Sequence, residues 1–349
     1  MTKAGDAVHR PLILKHMNMS EEEISKIAST FGIEKESEIN IIDTSRGNDV
    51  RINAIIDRKY VLRIWSTSFS EKRIAAIARL CERYNSIGVI APHYHKTKNG
   101  KYTCNYGRYT CNLSDYIDLP TEYELGNSVD HESVKKDVLA MIGKFASMFS
   151  GVDLMPEMSM WSIIDLAPLD IGIDEKQENL DMLVSALKEA GEDRFAKEIS
   201  DFNDSTRKRI ESVMRSLPRC VIQGDLNSTN ILIKNGSFAG LIDFNMSGTE
   251  VNINNFCCET NQEVNEDEFI SMPTVNFYSK WRSEQESELT QILKFYNLNE
   301  EEKTALDYYR KICLISQYPN VLSFISLLKK DKAKTIELLE LIINEKHLR

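Results

Sequence analysis

Residues 223–244 of the 349-residue chain read QGDLNSTNILIKNGSFAGLIDF. The residue types specify a loop followed by a hairpin. Asp225, Asn227, Ser228 and Thr229 favour a loop because their short polar side chains bond nearby backbone groups. Residues 231–233 (ILI) form a short apolar run, Asn235-Gly236 is a dipeptide suited to a two-residue hairpin turn, and residues 238–244 (FAGLIDF) return as the second strand. Folding back at that turn brings the start of one strand beside the end of the other. Asn230 then approaches Asp243, with Asp225 in the preceding loop. Two carboxylates and one amide oxygen gather around a single point.

Hard oxygen donors of this kind suit Mg2+, which takes few protein ligands and keeps waters or phosphates in its other positions. Phosphoryl transfer needs a metal to neutralise phosphate charge and a carboxylate to accept or orient the acceptor's proton. On this reading Asp225 is the base, and Asn230 and Asp243 hold the metal. A lone D-x-x-x-x-N is more often a turn than a site. The joint pattern of loop, Asn-Gly hairpin, strand-end Asp and downstream Gly248 is more specific.

The segment resembles the Brenner-type motif of the aminoglycoside phosphotransferase and choline kinase family, written H-G-D-x-x-x-x-N and then I-D-F or V-D-x. Here it stands as Gln223-Gly224-Asp225 through Asn230, then Leu241-Ile242-Asp243-Phe244. That family often has a Gly five residues after the metal Asp, matched by Gly248, and an Asp twelve residues after, where this chain has Asn255. Gln223 stands in place of the usual His. Both departures fall on residues that brace the loop, and an amide can still bond backbone groups, so a supported loop is expected. The resemblance implies an α+β, protein-kinase-like two-lobe fold. Residues 1–111 would form an N-terminal helix and a β-rich nucleotide-binding lobe, and residues 112–349 a mainly helical lobe with the catalytic loop and acceptor site. It also implies ATP or GTP as co-substrate and the hydroxyl of a small molecule as acceptor.

On the N-terminal side the pattern agrees in outline. A helix is expected over 20–32, with Ser20 and Glu23 as a capping box and Ile24, Ile27, Ala28 and Phe31 on one face. Strands follow at 38–44, 49–57 and 60–65, a helix at 70–86, and strands near 101–105 and 107–112. Arg63, alternating with the apolar Leu62 and Ile64, is the candidate for gripping nucleotide phosphates, with Arg58 and Lys59 close enough to compete. Glu71 or Glu82 on the following helix would pair with it, and Glu71 extends the inward stripe. There is no G-x-G-x-x-G over the first strands; SRGND at 45–49 has a single glycine. The segment from Arg108 is expected to join the lobes, and backbone groups near Cys111 are the candidates for an adenine edge.

Beyond residue 112 helical periodicity covers about 132–149, 176–190, 192–215, 283–296, 300–316 and 330–346, with Asn299 and Glu302 as a second capping box. Residues 259–288 carry Glu259, Glu263, Glu266, Asp267, Glu268, Glu284, Glu286 and Glu288 against Lys280 and Arg282. That run would suit a cationic acceptor, but a solvated acidic surface is the commoner meaning. Phe277, Tyr278 and Trp281 fit a pocket or a core equally. The histidines have no metal-ligand spacing.

The formal net charge of −10 disfavours nucleic acid, which needs clustered cations, and anionic membrane. Seven cysteines without a C-x-x-C pair point to no disulfide framework or zinc site and to a reducing cytoplasm. The N-terminal apolar run is too short for a signal core, and no apolar stretch is long enough to span a bilayer. The leading expectation is a small-molecule kinase. The alternative is a kinase-like nucleotide-binding or regulatory protein with weak turnover. A metal hydrolase lacks its further ligand cluster, and a protein kinase its H-R-D and D-F-G triplets.

Overall fold

The computed structural model describes residues 19–344 apart from 35–37, 48, 67–68 and 262. The N-terminal stretch examined for a signal core, His9, His16, His347 and Asn48 of the SRGND turn lie outside the described residues. The chain divides into two compact units. One comprises the described residues up to Arg83 with Ala91–Asp118, the other Tyr84–Ile90 with Leu119 onward.

The first unit opens with α1 (Glu21–Thr30), whose capping box is formed. Ser20 Oγ accepts the Glu23 N–H at 3.2 Å, and Glu23 accepts the Ser20 N–H at 2.9 Å. Then come β1 (Ile39–Asp43), β2 (Arg51–Ile56), β3 (Tyr60–Trp65), α2 (Glu71–Ser86, whose last residues belong to the second unit), β4 (Tyr94–His95), β5 (Thr103–Tyr106) and β6 (Tyr109–Asp115). The antiparallel sheet runs β1-β2-β3-β6-β4, with β5 also paired to β6. Strand alternation buries Ile52, Ala54 and Ile56, Leu62 and Ile64, and Cys111 and Leu113, which share a core with Ile24, Ile27 and Ala28 of α1. A one-residue slip would turn each of these sets to the opposite face, so the pattern fixes the register. The β2–β3 turn places Asp57 and Arg58 at φ 52° and 50°, the pair of positive angles that a type I′ hairpin turn demands.

The second unit is mainly helical: α3 (Glu122–Leu125), α4 (His131–Phe149), α5 (Glu175–Glu189) and α6 (Asp193–Val213), then α7 (Asn252–Glu259), α8 (Glu266–Ser271), α9 (Thr274–Leu293), α10 (Glu300–Ser316), α11 (Tyr318–Lys330) and α12 (Lys332–Asn344). Four short strands lie between α6 and α7: β7 (Arg219–Ile222), β8 (Ile231–Lys234), β9 (Ser237–Leu241) and β10 (Gly248–Val251). The core joins α5, α6, α9, α11 and α12 through residues such as Leu183, Ile199, Phe324 and Leu338. Phe277, Tyr278 and Trp281 fill that core, which settles their role as packing. The Asn299–Glu302 capping box is formed on α10.

Three departures from the sequence pattern have local causes. The helix expected from 283 begins at Thr274, because its first turns bury aromatics on a broad face that blurs the period. The α11 helix follows Gln317 directly, with Pro319 in its first turn, where proline costs nothing. Its apolar run has no polar stripe to reveal the helix. The second hairpin strand ends at Leu241, and the chain turns at Asp243, which sits at φ 54°.

Candidate active site

The two small ladders of the second unit set the position of the 223–244 segment. In one, β7 pairs antiparallel with β10, placing Ile222 opposite Gly248. In the other, β8 pairs with β9 around Asn235 and Gly236, at φ 53° and 78°. The loop from Gln223 to Asn230 leaves the first ladder and enters the second. The turn from Ile242 to Ser247 returns the other way, so the two connections lie side by side.

Gln223 joins them. It is 1% exposed. Its Nε2 donates to the carbonyls of Ile242 at 2.9 Å and Asp243 at 2.7 Å, and its Oε1 accepts the Asp225 N–H at 2.6 Å. All three of these bonds go to backbone groups on either side of the site. Gly224 follows at φ +85°, and a Cβ there would lie 2.4 Å from the Met246 carbonyl oxygen. Glycine is required for both reasons. Gly248 is required by contact alone, since a Cβ would meet the Met158 carbonyl and the Ser159 amide at 2.5 Å.

The predicted trio is brought together in part by direct bonds. The Asn230 side-chain amide donates to the Asp225 carbonyl and to its Oδ2, each at 2.9 Å, and Asn227 donates to Asp225 Oδ1 at 2.7 Å. Each carboxylate oxygen of Asp225 thus has one donor fixing its direction. Asn230 is buried, and its carbonyl accepts the Ile242 N–H at 3.0 Å, one residue before Asp243. Asn245 donates to Asp243 Oδ1. These commitments use the amide nitrogen of Asn230 and leave its Oδ1, with Asp243, as hard oxygen donors of the type Mg2+ takes. The donor set fits that ion.

Asn255 does not share the bracing role expected of it. It is buried on α7, and among the described residues its Oδ1 has no hydrogen-bond partner. A residue the sequence did not single out, Trp161, donates its indole N–H to the Gly224 carbonyl at 3.0 Å. Trp161 lies far upstream, on a segment held to the small sheet by the Met158–Thr249 bridge. Nothing in its sequence neighbourhood marks it.

Most of the acidic run is neutralised locally. Glu266 pairs with Lys330, Glu268 and Glu284 with Lys280, Glu286 with Arg282 and Arg310, and Glu288 with Lys135. Glu259, half-buried at the end of α7, differs. Burial pushes its pKa up to about 7, aided by the charge of Asp225 and opposed by Lys135 and Lys176.

In the first unit, Arg63 donates to Ser114 Oγ at 2.9 Å. Among the described residues no carboxylate lies in salt-bridge contact with it. Glu71 is not brought to Arg63. Its carboxylate accepts the Tyr102 and Thr103 N–H groups, both at 2.9 Å, and the Thr103 hydroxyl at 2.8 Å, which ties the start of α2 to β5. Glu82 is exposed. Cys111 is fully buried within β6, opposite Ile64 on one side and Cys104 on the other.

Comparison with known proteins places this geometry. The chain has no match among curated protein sequences. Among solved structures, the amicoumacin kinase hAmiN in complex with AMP-PNP, Ca2+ and Ami is 10% identical, covers 93% of this chain and 94% of its own, and superposes with a TM-score of 0.50. The spectinomycin phosphotransferase APH(9)-Ia, in complex with ADP and spectinomycin, is 11% identical over 93% and 94% of the two chains, with a TM-score of 0.49. At 10% identity the likeness to hAmiN is one of fold, and the fold is kinase-like. The model of the APH family, described as the phosphotransferase enzyme family, matches residues 45–250. That span is more than half of the chain, contains β2, β3, the 223–244 segment and Gly248, and shows that this protein belongs to the APH phosphotransferase enzyme family.

Proposed function

We propose that the protein transfers the γ-phosphate of ATP or GTP to the alcohol group of a small molecule, with Asp225 as the base. The observation that carries this reading is the two-sided grip on Asp225. Asn227 and Asn230 each hold one carboxylate oxygen, which orients the group while leaving it half-exposed. Asp225 accepts the proton of the acceptor hydroxyl as its oxygen attacks phosphorus and the bond to the leaving nucleoside diphosphate breaks. Transfer is direct and in line, without a phosphoenzyme. Asn230 and Asp243 would hold Mg2+, which when bound neutralises charge on the phosphate oxygens. Arg63 would contribute a guanidinium to the nucleotide phosphates. At Cys111 the strand is paired on both sides, so the backbone groups that would read the base lie where β6 leaves its ladders.

The acceptor is proposed to be a small hydroxylated compound. An amine-bearing one is compatible with the carboxyl of Glu259, which feels the charge of Asp225. Nucleic acid and anionic membrane are not proposed as partners, given the net charge of −10.

The test has two stages. Magnesium-dependent binding of ATP and GTP is measured by thermal shift. Nucleotide consumption is then followed with a panel of hydroxylated amines and sugars, for wild type and Asp225→Ala. Acceptor-dependent turnover in wild type alone supports the proposal, and absence of binding of either nucleotide with magnesium refutes it. Among the described residues, Asn255 Oδ1 has no hydrogen-bond partner and Arg63 no carboxylate partner; both favour a second reading, a nucleotide-binding or regulatory protein with weak turnover. Binding without consumption on any acceptor is the outcome that supports it.

A further inference from the structure

We infer that Cys104 and Cys111 form an oxidation site, closing to a cross-strand disulfide when Cys104 meets a peroxide. The two residues face each other directly in the β5–β6 ladder. Directly opposed residues in an antiparallel pair have Cα atoms about 4.5–5.5 Å apart, inside the roughly 4.4–6.8 Å that a disulfide spans. Directly opposed residues of an antiparallel pair point to the same face of the sheet, so both thiols leave the ladder on one side. The backbone therefore has no distance to travel.

The pair is asymmetric in the way such chemistry requires. Cys111 is fully buried. Cys104 is half-buried, and it alone of the seven cysteines is not buried. Thr30 Oγ1 donates to Cys104 Sγ at 3.4 Å. Hydrogen bonds from the Cys111 thiol and from Thr30 hold the Cys104 thiol below its ordinary pKa against the opposing effect of burial. Reactive thiols combine thiolate character with exposure and stand beside a resolving partner. The other close thiol group, Cys257, Cys258 and Cys313 on α7 and α10, is buried; contact with Cys313 and burial push Cys258 upward, and contact with Cys257 and burial do the same to Cys313.

The step balances as follows. Cys104 thiolate attacks one peroxide oxygen, the O–O bond breaks, and hydroxide leaves and is protonated to water. The Cys104 sulfenic acid is then attacked by Cys111 sulfur; the S–O bond breaks, a second water leaves, and the S–S bond forms. Two thiols supply the two electrons that reduce one peroxide. A thiol reductant reverses the closure.

Trypsin sites at Lys101, Arg108 and Lys135 place the two cysteines on separate peptides, Tyr102–Arg108 and Tyr109–Lys135. The full-length protein is exposed to a graded hydrogen peroxide series, alkylated, digested and weighed by mass spectrometry. The expected result is a linked peptide pair that appears before any modification of Cys258 or Cys313 and is lost on reduction. Cys104→Ser is expected to leave Cys111 unoxidised at the same dose. Cys111→Ser is expected to leave Cys104 as a sulfenic acid captured by dimedone; should that core variant not fold, wild type and Cys104→Ser decide. Over-oxidation of Cys104 without the linked pair, or oxidation of the buried cysteines first, overturns the inference.

Discussion

The side-chain amide of Gln223 donates to the carbonyl of Asp243 at 2.7 Å. Where the resembled family usually has histidine, this chain carries an amide. That amide also donates to Ile242 and accepts from the N–H of Asp225. One buried side chain thereby sets the separation between the proposed base and a proposed metal ligand.

Truncating it exposes the dependence. Gln223→Ala removes the partners of one N–H and two carbonyls at a buried position, and unsatisfied buried groups cost about 1–3 kcal/mol. A lower urea midpoint with an unchanged m-value is expected, together with a larger loss in kcat than in nucleotide affinity. A variant as stable as wild type would show that water replaces the brace.

Asp225→Asn keeps the shape and removes the proton acceptor. General-base catalysis contributes roughly 100- to 10,000-fold, so acceptor-dependent turnover is expected to fall by that order while magnesium-dependent nucleotide binding persists. Isothermal calorimetry alongside the coupled assay separates the two. Retained turnover would remove Asp225 from the role proposed for it.

Glu259 gives a pH signature. Its folded-state pKa, pushed up to about 7, lies above the ordinary value of 4.5. The folded state therefore binds the proton more tightly than the unfolded one. The penalty is absent below about pH 4.5, grows as pH rises, and is complete above about pH 7. Glu259→Gln, which never ionises, is expected to melt above wild type at about pH 8 and close to it at about pH 4.5. A pH-independent difference would contradict this.

Gly248→Ala drives a methyl group into the backbone of Met158 and Ser159 at 2.5 Å. Overpacking of this kind costs about 1–3 kcal/mol. Because that backbone leads to Trp161 and its bond to Gly224, reduced turnover is expected to accompany the lower melting temperature. Differential scanning fluorimetry and the nucleotide-consumption assay read the two effects on one preparation.

Much of this was legible in the residues. The Asn-Gly turn and the flanking apolar runs marked the hairpin, and through it the approach of Asn230 to Asp243. Ser20 with Glu23, and Asn299 with Glu302, marked helix starts because capping is local. What stayed hidden depends on distant groups. Glu71 was expected on Arg63 from its helix stripe, yet a carboxylate at the start of α2 finds the free amides of Tyr102 and Thr103. Trp161 carries no local signal, since its partner is a carbonyl more than sixty residues on. The acidic run fitted a solvated surface more readily than a cationic acceptor, and its pairing with Lys135, Lys280, Arg282, Arg310 and Lys330 becomes visible only in three dimensions.

Gln223 touches the hairpin side of the site through main-chain carbonyls alone. The side chains of the hairpin are therefore free to vary where they face solvent, as at Lys234 and Ser237. Its length is not. Adding or removing a residue within either paired strand, 231–234 or 237–241, would slip the register that sets where the Ile242 and Asp243 carbonyls emerge beside Gln223. The hairpin works as a measuring rod, and descendants of this chain can rewrite its letters more readily than change their number.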